Sequence, residues 1–333
     1  MTTPLIGLTM GDPAGIGPEI TVKALADPAT RGRARTLLLA DVGVVEQAVE
    51  VAGVDLTVRR VAGPEEVTDD PARIDVLDLA TVGSVEFGQV AAAYGKAAVA
   101  SIELACALAR ERRIDAIVTA PISKEAIRAA GSPFPGHTEM LAELFGVPGD
   151  RVVTAFVLDQ LRIFFLTRHH SLRDLVDLLH TGLVLRGLRR VDELLVDLGI
   201  ERPKIALAAL NPHAGENGLL GSEEREILEP AVRAARDEGI DATGPVPADA
   251  VFYQARHGRY DGVLSLYHDQ GHIAAKTLDF FGTVSCTLGL PVIRTSVDHG
   301  TAFDIAGRGV ADASGQVAAI RVAAELVPTV RHG

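Results

Sequence analysis

Short apolar runs alternate with longer amphipathic stretches through the first third of the chain. Leu5–Met10 predicts a buried strand, and a Gly/Pro turn leads from it into a helix over Gly17–Ala26. Arg35–Ala40 predicts a second strand, Val44–Ala52 a helix and Thr57–Val61 a third strand. Residues 62–87 contain Pro64 and Pro71 and read as irregular, with one short strand at Ile74–Leu77. Apolar and alanine positions then recur at helical spacing over Val90–Arg112, before a strand at Ile114–Thr119. This alternation predicts α/β layers around a largely parallel sheet.

The middle of the chain changes pattern. Val152–Leu158 and Leu161–Thr167 are β-rich runs separated by Asp159-Gln160, a hairpin signal that puts an antiparallel pair into the sheet. One helix is expected over Leu172–Leu198, and later strands at Ile205–Leu210, Gly262–Leu266 and Gly282–Leu288. Ser222 is placed to cap a helix beginning at Glu223-Glu224, with both acids near its positive end.

Length and composition narrow the classes. The 333 residues suggest two domains, and the absence of a Pro-, Gly- or Ser-rich linker implies that they are closely joined. A net charge of −12 argues against bulk nucleic-acid binding, though it leaves one basic pocket open. No long apolar run predicts a membrane span, and the N-terminus has no signal-peptide pattern. Cys106 and Cys286 are too few for a disulfide framework or a Cys-rich zinc site and suit a reducing cytoplasm.

Candidate chemistry gathers in loops that follow strands. Arg168-His169-His170, Asn211–Glu216 with His213, and Tyr267–Gly271 with His268 each end a predicted strand, where open α/β sheets bind ligands. Three such imidazoles can hold a catalytic divalent metal (zinc, cobalt, manganese or nickel), or they are hydrogen-bonded loop histidines. Asp249 and Asp269 are candidate acceptors behind them, or turn caps. Lys276 and Arg294 suggest a small anionic substrate, or are two ordinary surface charges. Gly136-His137-Thr138-Glu139 marks a helix start whose amides can bind an anion, or one that Thr138 caps. Gly11–Pro18 lacks dinucleotide-loop spacing and carries two prolines, so it predicts a tight turn lining a cleft.

The run His299–Gly307 resembles the adenosine-binding loop of isopropylmalate and isocitrate dehydrogenases. That resemblance implies cofactor contacts from His299, Gly300, Thr301, Asp304 and Ile305. An acidic side chain at Asp304 can accept a bond from a ribose 2′-hydroxyl and repel a 2′-phosphate, which favours NAD over NADP. Nearly end to end, the chain resembles the 4-hydroxythreonine-4-phosphate dehydrogenase family. The most specific stretches are Gly11–Ile20, Gly136–Leu144, Asn211–Glu216, Pro247–Phe252, Tyr267–Gly271 and Thr287–Gly309.

The resemblance implies a two-domain isopropylmalate-dehydrogenase-like α/β fold with mixed, mostly parallel sheets and a cleft between domains. Residues 1–130 with 300–333 would form the cofactor side, and 131–299 the metal- and substrate-binding, dimer-forming side. It further implies a homodimer, no nucleic-acid or membrane partner, and a divalent metal (zinc, cobalt, manganese, nickel or magnesium) held at the subunit interface by His169, His213 and His268. Substrate contacts match His137, Thr138, Lys276, Ser285 and Arg294, with Lys276 and Asp249 as candidate catalytic bases. Ser285 replaces an Asn of the family pattern, Arg168 a Thr, and His170 and His272 add rings beside the metal loops. The activity implied is NAD-dependent oxidation, with decarboxylation, of a phosphorylated hydroxy acid. 4-Hydroxythreonine 4-phosphate leads; 4-phosphothreonate, 4-phosphoerythronate and a dihydrodiol dicarboxylate follow. A phosphate acyltransferase would need neither the histidines nor the Asp304 loop, and intact His169, His213, His268, Lys276 and Arg294 argue against a non-catalytic binding protein.

Overall fold

The computed structural model describes residues 3–327. Its twelve strands are β1 (Leu5–Thr9), β2 (Arg35–Ala40), β3 (Thr57–Val61), β4 (Arg73–Asp78), β5 (Ala116–Thr119), β6 (Val153–Leu158), β7 (Leu161–Phe165), β8 (Ile205–Ala208), β9 (Ala242–Val246), β10 (Gly262–Ser265), β11 (Val284–Leu288) and β12 (Ile293–Ser296). The described chain falls into two compact units. The first runs to Val152 and resumes at Val284; the second is Val153–Thr283.

In the first unit the strand order is β3-β4-β2-β1-β5-β12-β11. All neighbours are parallel except β11, which runs antiparallel to β12. The inner strands β1, β2 and β5 are buried almost throughout, as continuous apolar runs require when both sheet faces are covered. One layer is the helix Ala92–Arg110. By length and composition it is apolar enough to cross a bilayer. Its Ile102, Ala105 and Cys106 instead pack with Leu37, Leu39 and Ile117, so it is a core helix.

In the second unit the order is β6-β7-β10-β8-β9, with only the β6/β7 hairpin antiparallel. Phe156, Ile163, Ala206 and Val263 from these strands pack with Val251, Phe252 and Ala255 of the helix Ala248–Arg256 and Ala275 of the helix His268–Leu278.

The unit boundaries fall at 152/153 and 283/284 rather than at 130/131 and 299/300. Met140 and Leu141 of the helix His137–Phe145 join the core that contains Leu37 and Ile117, and β12 pairs with β5. Both segments are thereby tied to the first unit.

Other differences have local causes. The expected helix over 172–198 is two helices, Leu172–Leu178 and Thr181–Asp197. His180 is extended between them, and its Nδ1 accepts the Leu183 N–H at 3.2 Å, so a side chain that reads as helical in pattern acts as a cap. No side-chain cap bond from Ser222 starts the next helix. Glu224, expected to complement the helix dipole, turns inward to other amide groups. The expected strand over 205–210 ends at Ala208. β9, β12 and the helices Ala248–Arg256, His268–Leu278 and Ser314–Leu326 went unpredicted.

One buried side chain fastens the two ends of the first unit together. Glu19, on the helix Gly17–Ala26, is 1% exposed. It accepts from Gly309 N (3.2 Å), Ala311 N (2.7 Å) and Lys23 Nζ (2.7 Å). Lys23 in turn donates to the carbonyls of Gly309 and Ala311, both at 2.9 Å. Removing one partner of such a pair leaves a poorly compensated charge and two unpaired amides. Glu19→Ala is expected to lower unfolding free energy by about 3 kcal/mol in urea titrations; a loss under about 0.5 kcal/mol would deny the clamp its role.

Candidate active site

The first unit gathers a row of hydroxyls and a buried guanidinium at strand ends. Thr9, Thr119, Ser296 and Ser285 are register partners across β1, β5, β12 and β11, so their hydroxyls form one row. Thr9, Thr119 and Ser296 are the last residues of three parallel strands, the sheet edge where ligands bind. Side chains alternate across a sheet, so Arg294, two residues before Ser296, lies on the same face, paired with Thr287.

Arg294 is buried, and its three hydrogen bonds all go to hydroxyls. Nε and Nη2 donate to Thr119 Oγ1 at 3.1 and 2.5 Å, and Nη1 donates to Thr287 Oγ1 at 2.9 Å. Burial without a carboxylate partner pushes the guanidinium down to about 10. Two of its five N–H donors remain for a ligand.

His137 stands beside this cation at the first position of the helix His137–Phe145. Its Nε2 is shut from solvent and has no hydrogen-bond partner. Burial, and secondarily the charge of Arg294, hold its pKa well below the ordinary imidazole value, so the ring is neutral. Thr138 does not cap this helix: Gly136 occupies the cap position, in extended backbone and without a side-chain bond. The first-turn amides are therefore left for an anion. Arg294, His137 and Ser285 thus belong to one unit, and Thr119 and Thr287, which the sequence reading did not single out, complete their setting.

The cofactor-loop residues lie in the same unit. Ile305 and Ala302 pack on Ile16, Ile20, Val297 and Ala306, while Asp304 stays exposed. His299 Nδ1 lies 3.1 Å from the Gly300 carbonyl. The Gly11–Gly17 turn holds this loop: Ile16 N donates to the Thr301 carbonyl at 2.9 Å. A Cβ on Gly11 (φ +71°) would come within 2.1 Å of the Pro121 carbonyl, so only glycine fits. Within the turn, buried Asp12 accepts the Ala14 N–H at 3.0 Å through Oδ1, and its Oδ2 has no partner. Burial pushes its carboxyl up to about 6.

The second unit carries the histidines. β10 lies between β7 and β8, so His169, His268 and His213 follow the carboxyl ends of three adjacent parallel strands. The His169 and His268 rings are 6.1 Å apart between centroids. His268 Nδ1 lies 2.6 Å from Asp269 Oδ1, which fixes that nitrogen and leaves Nε2 as a metal donor. His272 stacks on His268 at 3.5 Å. Gln270, buried, spans two strand ends: Oε1 accepts Leu266 N and Nε2 donates to the Ala209 carbonyl, both at 2.7 Å. The donor chemistry fits a divalent cation. Even so, among the described residues no three His, Cys, Asp or Glu side chains of this single chain are grouped to hold one.

His213 lies in a left-handed turn. Five consecutive residues, His213 to Asn217, have φ between +46° and +75°. That conformation costs about 1–2 kcal/mol at each residue other than glycine or asparagine. Asp249 lies in the first turn of the helix Ala248–Arg256; Lys276, in the last turn of His268–Leu278, has Nζ 5.1 Å from the Phe280 ring. Both cysteines are buried, and burial pushes the Cys106 thiol up to about 12, which excludes thiolate chemistry there.

Residues 32–323 match the family model described as pyridoxal phosphate biosynthetic protein PdxA. The chain belongs to this family. A relative from Cupriavidus necator, named D-threonate 4-phosphate dehydrogenase, is 48% identical over 97% of both chains. Among solved structures, a 4-hydroxythreonine-4-phosphate dehydrogenase from Burkholderia phymatum is 45% identical, with a TM-score of 0.87 over 98% of this chain and 99% of that one. One from Klebsiella pneumoniae is 42% identical, with a TM-score of 0.89 over 97% and 99%. This PdxA-family protein is an oxidoreductase of the dehydrogenase type.

Asp12 gives a pH-dependent stability with a definite sign. Its folded pKa lies above its unfolded value of 3.8, so the folded state holds the proton more tightly. Its contribution is fully present below pH 3.8 and is lost as the pH rises through about 6. Asp12→Asn keeps an acceptor for Ala14 N and removes the buried charge. It is expected to raise stability by about 3 kcal/mol at pH 7.5 and by less at pH 5, in urea unfolding at both pH values. An equal change at both would reject a buried, titrating Asp12.

Proposed function

We propose that the chain is an NAD-dependent, divalent-cation-dependent dehydrogenase of a phosphorylated four-carbon hydroxy acid, with D-threonate 4-phosphate as the first candidate. The observation that carries this reading is Arg294, a buried guanidinium bonded only to hydroxyls, with donors left for an anion. The name of the Cupriavidus necator relative moves this substrate ahead of 4-hydroxythreonine 4-phosphate. Ser285, shorter than the Asn of the family pattern, fits a substrate that has a different group at that position.

In this reading Arg294 and the first-turn amides at His137 and Thr138 hold the substrate's anionic end. Neutral His137 presents Nε2 to a substrate oxygen without adding a second cation beside Arg294. Ser285 contributes its hydroxyl from the same row. His169, His213 and His268 are the residues that would hold the cation, and His299, Gly300, Thr301, Asp304 and Ile305 those that would hold NAD. When bound, the cation lowers the pKa of the substrate hydroxyl, and NAD accepts the hydride from its carbon. Lys276 or Asp249 takes the hydroxyl proton. Where the hydroxyl lies β to a carboxylate, the product is a β-keto acid. Its carboxylate leaves as CO2 with the bonding pair passing to the ketone carbon–oxygen unit.

The PdxA-family protein is further proposed to act as a homodimer. Tyr253, Ile273, Leu278 and Phe280 are all exposed on one stretch of the second unit, and an apolar groove lies between the helices that carry the first three. A second copy would cover such a face.

NADH formation from D-threonate 4-phosphate, 4-hydroxythreonine 4-phosphate and D-erythronate 4-phosphate, each with and without chelator, tests the assignment. Chelator-sensitive turnover fastest on D-threonate 4-phosphate is expected. Silence on all three with NAD and cation bound would remove the phosphate reading. Asp304→Lys is expected to move the ratio of kcat/KM for NAD over NADP at least tenfold toward NADP, about 1.4 kcal/mol. An unchanged ratio would reject the ribose contact.

A further inference from the structure

We infer that Glu224 is the positioning residue that presents the His213 imidazole for cation binding; this rests on the cation reading proposed above. Glu224 begins a π-helical turn, Glu224–Leu228, and its side chain is almost wholly buried. The carboxylate is spent on the segment just before His213. Oε1 accepts Leu210 N at 2.9 Å and Asn211 N at 2.7 Å, and Oε2 accepts Asn211 Nδ2 at 2.9 Å. The same Nδ2 donates to Glu223 Oε2 at 2.7 Å. These bonds fix the residue that precedes Pro212, two positions from the candidate ligand.

The carboxylate also reaches inside the turn. A Cβ on Gly215 would lie 2.8 Å from Glu224 Oε2, so the turn closes around this group. His213, Ala214 and Glu216 take left-handed backbone that such residues avoid when unconstrained. A strained arrangement of this kind persists only where its surroundings over-determine it. Glu224 supplies that constraint from a different element. A π-helical turn, rare and frequent at functional sites, carries it where it reaches Asn211. Ionised acceptors of several N–H groups are among the stronger hydrogen-bonding anchors. Glu224 is buried against the loop's backbone and not open to a ligand. It acts through His213, as residues behind metal ligands do, and changes to such residues lower metal affinity about 10–100-fold.

The test uses the full chain stripped of metal. Co2+ binding is followed by calorimetry and by its visible absorption band, and NAD binding and thermal unfolding are measured on the same samples. Glu224→Gln keeps one acceptor oxygen for the backbone amides; Glu224→Ala keeps none. Co2+ affinity is expected to fall about tenfold in Glu224→Gln and about a hundredfold in Glu224→Ala, with an altered band and NAD affinity within about twofold of the parent. Co2+ affinity unchanged in both variants would overturn the inference and leave the cation reading standing. A parallel loss of NAD affinity and Co2+ affinity would also overturn it, by showing a general structural role. A parent protein that binds no Co2+ would overturn the cation reading itself, and the inference with it.

Discussion

A buried positive charge with no negative partner is the constraint around which the first unit is arranged. A lone guanidinium in low dielectric is costly, and the fold offsets part of that cost with neutral oxygen dipoles. Thr119 and Thr287 supply them because β12 lies between β5 and β11 and in register with both. The strand order is therefore inseparable from the chemistry. Were β12 at a sheet edge, Arg294 would meet water on one side and lose its advantage for an anion. Because the hydroxyls are neutral, they keep the guanidinium in place without cancelling its field. A carboxylate there would do the first and undo the second.

Several loops share one mode of attachment. Each is tied by a buried polar side chain from a separate element to backbone groups at the loop's root. Glu19 holds Gly309 and Ala311, Gln270 joins the ends of β8 and β10, and Glu224 holds Leu210 and Asn211. Asp41 does the same for Thr81 and Val82. Loop amides outside regular ladders need partners when buried, and one carboxylate or amide satisfies several at once. The loop roots thereby gain hydrogen-bond partners that no neighbouring strand supplies.

Much of the architecture was legible as alternation. Leu5–Met10, Arg35–Ala40 and Thr57–Val61 are strands because apolar or β-branched residues dominate short runs between turn signals, and Gly17–Ala26 is a helix at its expected bounds. Short or Gly/Pro-containing elements were not legible. β9 contains Gly244 and Pro245, and β12 reads Ile-Arg-Thr-Ser, four buried residues of which only one is apolar. His180 ended a helix that periodicity continued. Strand-end logic placed His169, His213 and His268 after three strands, and they follow β7, β8 and β10, since apolar runs mark those strands. It missed Thr9, Thr119 and Ser296, whose meaning arises only from cross-strand register. Glu224 went unrecognised for a related reason: an acid in a helix's first turn looks like a dipole partner, and only burial shows it bonded elsewhere.

The position of β12 also bears on how the chain acquires its structure during synthesis. A strand from residues 293–296 stands between β5 and β11, and the segment after it carries Gly309 and Ala311 back to Glu19. All strands of the second unit come from one uninterrupted stretch, Val153–Thr283. On a ribosome the second unit can gather its sheet while the first still lacks an interior strand. Until then β5 presents an unpaired parallel edge, and such edges invite wrong partners. The nascent first unit must therefore remain open longest although it is begun earliest, and the buried Arg294 with its hydroxyl partners is among the last parts to form.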